Sequence, residues 1–202
     1  MIGMRRIILS LMVLLLVFGC VQEKSKDYFP LKVGNYWIQT INVSIGGETI
    51  SKTIRLEIKK TEEIEGKTNY IVDYYMDGEK IQQEYYYMDG TKMVTSKRVL
   101  SGVAVEFEPD QVWYDFGSDN WKWEGKVGSL DCTSNGELLG TEKVSVPAGE
   151  FDSLKTKLTI TCSDGSSATA YRWFADGVGL VKEESSTSGL QVVSKMKEYK
   201  VG

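Results

Sequence analysis

Three sets of side chains have the types and spacing to do chemistry: Cys132 with Cys162, the carboxylates of Glu106, Glu108 and Asp110, and the aromatic run "VWYDFGSDNWKW" at 112–123. The three carboxylates share one face of a strand-like run. There they could seat a cation or supply the acid and base of glycoside hydrolysis, although a solvated acidic row is the plainer reading. Asp115, Asp119 and Asn120 offer oxygens of the kind that ligate calcium, but without EF-hand spacing they read as loop caps. In the aromatic run, Trp113, Tyr114, Trp121 and Trp123 combine apolar ring faces with polar edges, which suits a ligand or partner surface. The same residues also suit a strand-built interior. Their segment is the longest without a strand period, which places it in a loop.

The chain has 202 residues and no histidine. That removes imidazole acid/base chemistry, His-activated nucleophiles and His-ligated zinc. No phosphate loop, dinucleotide fingerprint or Cys-x-x-Cys pair occurs, and Ser129 and Ser134 have no base to activate them. The expectation is a protein that is not an enzyme and holds no metal or cofactor. The formal net charge is −4, and the densest cations, Lys59, Lys60, Lys195 and Lys197, lie in strand-like runs. Without a basic patch, nucleic acid is not an expected partner.

The first residues read as a secretory signal: Arg5 and Arg6, then an apolar run over 7–18 broken by Ser10. The run is too short to span a hydrocarbon core, which takes about 20 helical residues. Its end, Val17-Phe18-Gly19-Cys20, resembles the bacterial lipobox. That resemblance implies cleavage after residue 19, a diacylglyceryl group on the Cys20 thiol and a further acyl chain, such as palmitate, on the new amino terminus. A plain secretory signal with an incidental cysteine, or a buried helix, is the alternative. More than one acyl chain would make the anchor stable. The expected organisation is a signal peptide at 1–19, an acylated cysteine and tether at 20–27, and a single antiparallel β-domain at 28–202. The polar tether reaches at most about 25 Å, so the domain would sit close to a cell membrane or outer membrane, outside the cytosol. With Cys20 acylated, Cys132 and Cys162 remain as an even pair in a non-cytosolic compartment, and a disulfide between them is expected. Two separate buried thiols are the alternative.

The elements that must carry these residues are strands. Ile50, Ile54, Leu56 and Ile58 alternate with polar residues, as do Trp37, Ile41, Val43 and Ile45, with Gly46-Gly47 as the turn between the two runs. Turn pairs such as Glu65-Gly66, Asp77-Gly78, Asp89-Gly90 and Ser101-Gly102 recur at short intervals. "YMDGEK" at 75–80 and "YMDGTK" at 87–92 are one strand and one turn apart, which puts the two turns at opposite ends of a sheet. No later segment sustains a helical period. The fold class expected is all-β: one strongly curved antiparallel sheet of about ten to twelve strands, closed or half-open as a barrel. A two-sheet sandwich is the alternative.

Three stretches, "YFPLKVGNYW" at 28–37, "VSVPAGEFDSLK" at 144–155 and "YRWFADGVGLVK" at 171–182, together resemble a group of uncharacterised bacterial envelope lipoproteins. That group shares FPL-x-x-G-x-x-W, VPAG-x-F and W-F-A-x-G-V-G-L-V-K motifs. The resemblance implies an envelope protein and brings no catalytic residues. The functional expectation is a lipid-anchored, non-enzymatic β-domain that binds an envelope protein or an amphiphilic ligand through a concave sheet. A structural or assembly lipoprotein, and a carboxylate-dependent glycan hydrolase, are the alternatives.

Overall fold

Alternating residues with Gly-containing turns between them leave the domain only one way to bury its apolar face, and in the computed structural model all regular elements among the described residues are strands. The structure describes residues 26–202; the signal segment and Cys20 lie outside the described residues. The strands are β1 (Tyr36–Ile45), β2 (Glu48–Ile64), β3 (Lys67–Met76), β4 (Glu79–Asp89), β5 (Lys92–Leu100) and β6 (Val103–Asp115). They continue with β7 (Asn120–Val127), β8 (Leu130–Val146), β9 (Gly149–Cys162), β10 (Ser167–Ala175), β11 (Gly179–Thr187) and β12 (Leu190–Lys200). Each pairs antiparallel with its sequence neighbours, and β1 also pairs with β12, so the meander closes into a barrel. Closure removes the unpaired edges that an open sheet exposes.

Four of the hairpins turn on two residues that both have positive φ: Gly46-Gly47, Glu65-Gly66, Asp77-Gly78 and Ser101-Gly102. This geometry matches the right-handed twist of the flanking strands. The Asp77-Gly78 and Asp89-Gly90 turns of the repeated hexapeptides do fall at opposite ends of the barrel.

Ile41 of β1 and Ile54, Leu56 and Ile58 of β2 point inward, and the outer wall is laced with ion pairs. Examples are Lys52 with Asp77 at 2.8 Å and Lys182 with Glu184 at 2.7 Å. A bilayer-spanning barrel would need an apolar band on that wall. Among the described residues no helix is long and apolar enough to cross a membrane.

Two apolar clusters fill the interior unequally. The larger, which includes Trp37, Ile58, Tyr86, Trp121, Phe174 and Met196, lies toward the end where the described chain begins. The smaller, Phe107, Trp123 and Cys132, occupies the other end on the β6–β8 side. There Cys132 stands opposite Cys162 in the β8–β9 register, and their sulfurs are bonded at 2.03 Å.

The three stretches that carry the lipoprotein resemblance converge on the first end and close it. Asp27 donates its N–H to the Asp176 carboxylate at 2.7 Å and accepts the Gly177 N–H at 2.8 Å. Phe29 stacks on Trp37 with ring centroids 6.2 Å apart and meets Tyr86 edge-on. The Trp37 indole N–H donates to the Val178 carbonyl at 2.6 Å. Gly179, at φ +101°, lies beneath that indole, and a Cβ there would come within 3.2 Å of Trp37 Nε1. From the stretch at 144–155, the Ala148 N–H donates to the Met196 carbonyl, and Phe151 packs edge-on against Tyr199.

Candidate functional site

With one end plugged and the smaller cluster confined to the β6–β8 side, a cavity of about 360 Å³ is left inside the barrel. Its wall comes from β1–β6, β10–β12 and Phe29. The size lies near the lower end of the range for small-molecule sites. Trp37, Met93, Tyr114 and Phe174 form its floor and are all buried. Toward the other end the wall is Ile41, Ile81 and Val192, which are half-buried, with Ile54 beside them. That burial gradient marks the mouth. Beyond it stand Ile45 and Ile50 on the β1–β2 hairpin and Leu100 and Val103 on the β5–β6 hairpin, all exposed.

A belt of polar groups crosses the apolar lumen between floor and mouth. Cross-strand pairing builds it: Glu84 stands opposite Arg98 on β4–β5, and Arg172 opposite Glu183 on β10–β11. Arg98 Nε donates to Glu84 Oε1 at 2.5 Å, and Arg172 Nε to Glu183 Oε2 at 2.5 Å. Glu84 also accepts the Tyr74 hydroxyl at 2.8 Å and the Gln82 amide at 2.8 Å. Arg172 donates a further bond to the Tyr114 hydroxyl. Ser194 donates to Gln39 at 2.7 Å. Between the pairs lies Trp113, with the guanidinium carbons of Arg98 and Arg172 at 5.3 and 5.1 Å from its ring centroid, within cation–π range.

Burial and the electrostatics of the belt fix its charge states. Burial pushes the Tyr114 phenol well above its ordinary value. Tyr74 is raised by burial first and then by the Glu84 carboxylate it faces. Burial works against the Arg172 cation, but Glu183 and Tyr114 outweigh it and raise its pKa. Both phenols therefore stay neutral and Arg172 stays charged through the physiological range. Each carboxylate is engaged by an arginine at hydrogen-bond distance.

Of the residues singled out from sequence, Trp113 and Tyr114 line the lumen. Trp121 packs against Tyr114 at a centroid distance of 6.0 Å in the larger cluster, and Trp123 belongs to the smaller one. The expected long loop is in fact β6 and β7 with only residues 116–119 between them. The aromatic spacing was obscured by a shift in the β5–β6 register, where Thr95 pairs with Gln111 and Lys97 with Glu106. That shift also breaks up the acidic row: Glu106 and Glu108 are exposed, while Asp110 binds Lys67 at 3.0 Å and Tyr87 at 2.9 Å. Asp115 caps its loop, accepting from Thr91 Oγ1 at 2.7 Å and from the Gly117 N–H at 3.1 Å. Among the described residues no group of three or more potential ligands converges on a metal position.

Glu84, Arg98, Arg172 and Glu183 were not among the sequence candidates. The available signal was a charged residue on an inward parity, as with Arg172 between Ala170 and Phe174 or Glu84 between Gln82 and Tyr86. The register shifts put the extra residues on the partner strands, Ser96 on β5 and Val181 on β11, so it is the parity of Arg98 and Glu183 that is hidden.

The DUF3108-like family model matches residues 124–197 of this chain. Comparison with curated proteins gives no match. Among solved structures, a candidate lipoprotein from Parabacteroides distasonis is similar at 16% identity and a TM-score of 0.55, covering 88% of this chain and 100% of that one. A candidate exported protein with a YmcC-like fold from Bacteroides fragilis aligns at 14% identity and a TM-score of 0.47, covering 87% of this chain and 99% of that one. A β-barrel-like protein of the domain of unknown function DUF1849 from Brucella abortus aligns at 7% identity and a TM-score of 0.46, covering 85% and 99%. The first of these likenesses establishes a shared fold, and function has to be argued from the site.

Proposed function

We propose that this protein is a lipid-anchored, non-enzymatic component of the bacterial cell envelope whose barrel holds an amphiphilic small molecule. The observation that carries the reading is the lumen itself: a cavity of about 360 Å³ with an apolar floor and a self-paired polar belt, inside a barrel whose outer wall is charged. The anchor is Cys20, acylated after removal of residues 1–19. The plugged end would then face the membrane, because the described chain starts there and Asp27 is pinned to the β10–β11 turn. The mouth would face away from it.

The anchor and the cavity have separate tests. Wild-type protein should incorporate labelled palmitate and sediment with membranes, and Cys20→Ser should do neither. A neutral aromatic probe should quench tryptophan emission saturably, through Trp37 and Trp113 in the cavity wall. Membrane sedimentation of mature Cys20→Ser protein would remove the anchor, and linear, non-saturating quenching would remove the cavity.

A second reading, docking of an envelope protein at the mouth, is favoured by the exposed aliphatics Ile45, Ile50, Leu100 and Val103 on two hairpin tips at the same end of the barrel.

A further inference from the structure

Resting on the reading of the barrel as a small-molecule binder, we infer that the lumen selects an uncharged ligand with an apolar body and excludes its charged analogues. Four charged side chains line the cavity, Glu84, Arg98, Arg172 and Glu183, and their charges sum to zero. They are paired with each other through the arginine Nε atoms, at 2.5 Å in both pairs. A charged ligand would have to remain unpaired in a water-poor space or displace one member of a pair and leave its partner buried alone, and both are unfavourable.

Most neutral donors of the belt are committed as well; the exception is the Trp113 indole N–H, which is buried without a partner. Tyr74 and Gln82 donate to Glu84, and Ser194 donates to Gln39. The belt therefore asks of its ligand shape and apolar surface, with the Trp113 N–H left to donate to a neutral acceptor and carboxylate and amide oxygens left to accept from a hydroxyl or amide. The charge rule is built from cross-strand neighbours, so it is a property of the fold's register and does not depend on mobile loops.

Two probes with the same ring system isolate charge from shape: N-phenyl-1-naphthylamine is neutral, and 8-anilino-1-naphthalenesulfonate adds one sulfonate. Wild-type protein should bind the neutral probe tighter by about ten-fold or more. Glu84→Gln leaves the Arg98 cation without its carboxylate and should shift the ratio of affinities about ten-fold toward the sulfonate. Arg98→Gln should shift it the other way.

Equal affinities for the two probes on wild type would overturn the inference, as would a ratio unmoved in variants whose circular dichroism is native. If a variant does not fold, the wild-type ratio alone decides. Leu56→Trp, which fills the lumen, separates this outcome from failure of the underlying reading. If neither probe binds, or if binding survives that substitution, the barrel does not hold small molecules. If both bind in the lumen with equal affinity, only the charge rule falls.

Discussion

Trp121 and Gly136 stand directly opposite each other on the β7–β8 ladder, and the indole occupies the space where a side chain at 136 would stand. A Cβ at that position would lie 1.9 Å from Trp121 Cε2. The glycine is thus a packing requirement of the core. Gly136→Ala should destabilise the barrel by about 1–3 kcal/mol, the usual cost of overpacking, measured by urea denaturation. An unchanged midpoint would mean that the indole has another place to go. Trp121→Leu combined with Gly136→Ala should recover part of the loss, because the clash is specific to the pair.

Alkaline pH should weaken the fold through its enclosed phenols. Tyr114 and Tyr74 both have raised pKa values, the first through burial and the second through burial and Glu84. A group held protonated in the folded state loses its proton first in the unfolded chain. The associated stability is therefore fully present below the unfolded tyrosine value of about 10 and falls as pH rises above it. Between pH 7 and 9 the two phenols should contribute no slope, as order-of-magnitude reference values imply. Tyrosinate absorbance should include a fraction that emerges only as circular dichroism is lost. Full ionisation of all tyrosines with the barrel intact would contradict this.

Reduction of Cys132–Cys162 should lower stability without opening the lumen. The bridge closes a loop with a sequence separation of 30, for which the chain-entropy model gives about 3–4 kcal/mol. The bond lies in the smaller cluster, away from the Glu84–Arg98 and Arg172–Glu183 belt. Cys132→Ser/Cys162→Ser protein should melt earlier yet keep its affinity for the neutral probe. Loss of binding in a variant that is still folded would show that the two regions are coupled.

The route into the lumen should run through the mouth. Ile81 is half-buried there, whereas Phe29 plugs the other end against Trp37 and Tyr86. In stopped-flow measurements Ile81→Trp should slow association and release of the neutral probe together, by about ten-fold, with little change in Kd. Phe29→Ala should leave the rates alone. The opposite pattern, faster exchange in Phe29→Ala with none of the slowing in Ile81→Trp, would place the route at the plugged end.

Much of the fold could be read from the sequence because its strongest signals are local. The alternation of Ile54, Leu56 and Ile58 sets the inward face of β2, and the positive-φ Gly pairs set the hairpins. Strand count and barrel closure follow from repetition of those two devices. The site was less legible for a specific reason. Register shifts in β3–β4, β4–β5, β5–β6 and β10–β11 each move a strand's parity partway along its length. Inward and outward faces therefore could not be carried from one end of a strand to the other, and Arg98 or Glu183 looked like ordinary surface charge. Trp113 and Tyr114 were found because their residue types drew attention, although a loop was expected where strands run. The link between Asp27, Trp37 and the turn at residues 176–178 is a contact across the whole chain, and no local pattern encodes it.

The most direct measurement of the central claim is native mass spectrometry of the full chain extracted from membranes in mild detergent. The account predicts a bound species at one per protein that is released on activation as an uncharged small molecule, and that is absent from Leu56→Trp. Protein that carries no small-molecule adduct, and whose tryptophan emission does not change on adding the neutral probe, would contradict it.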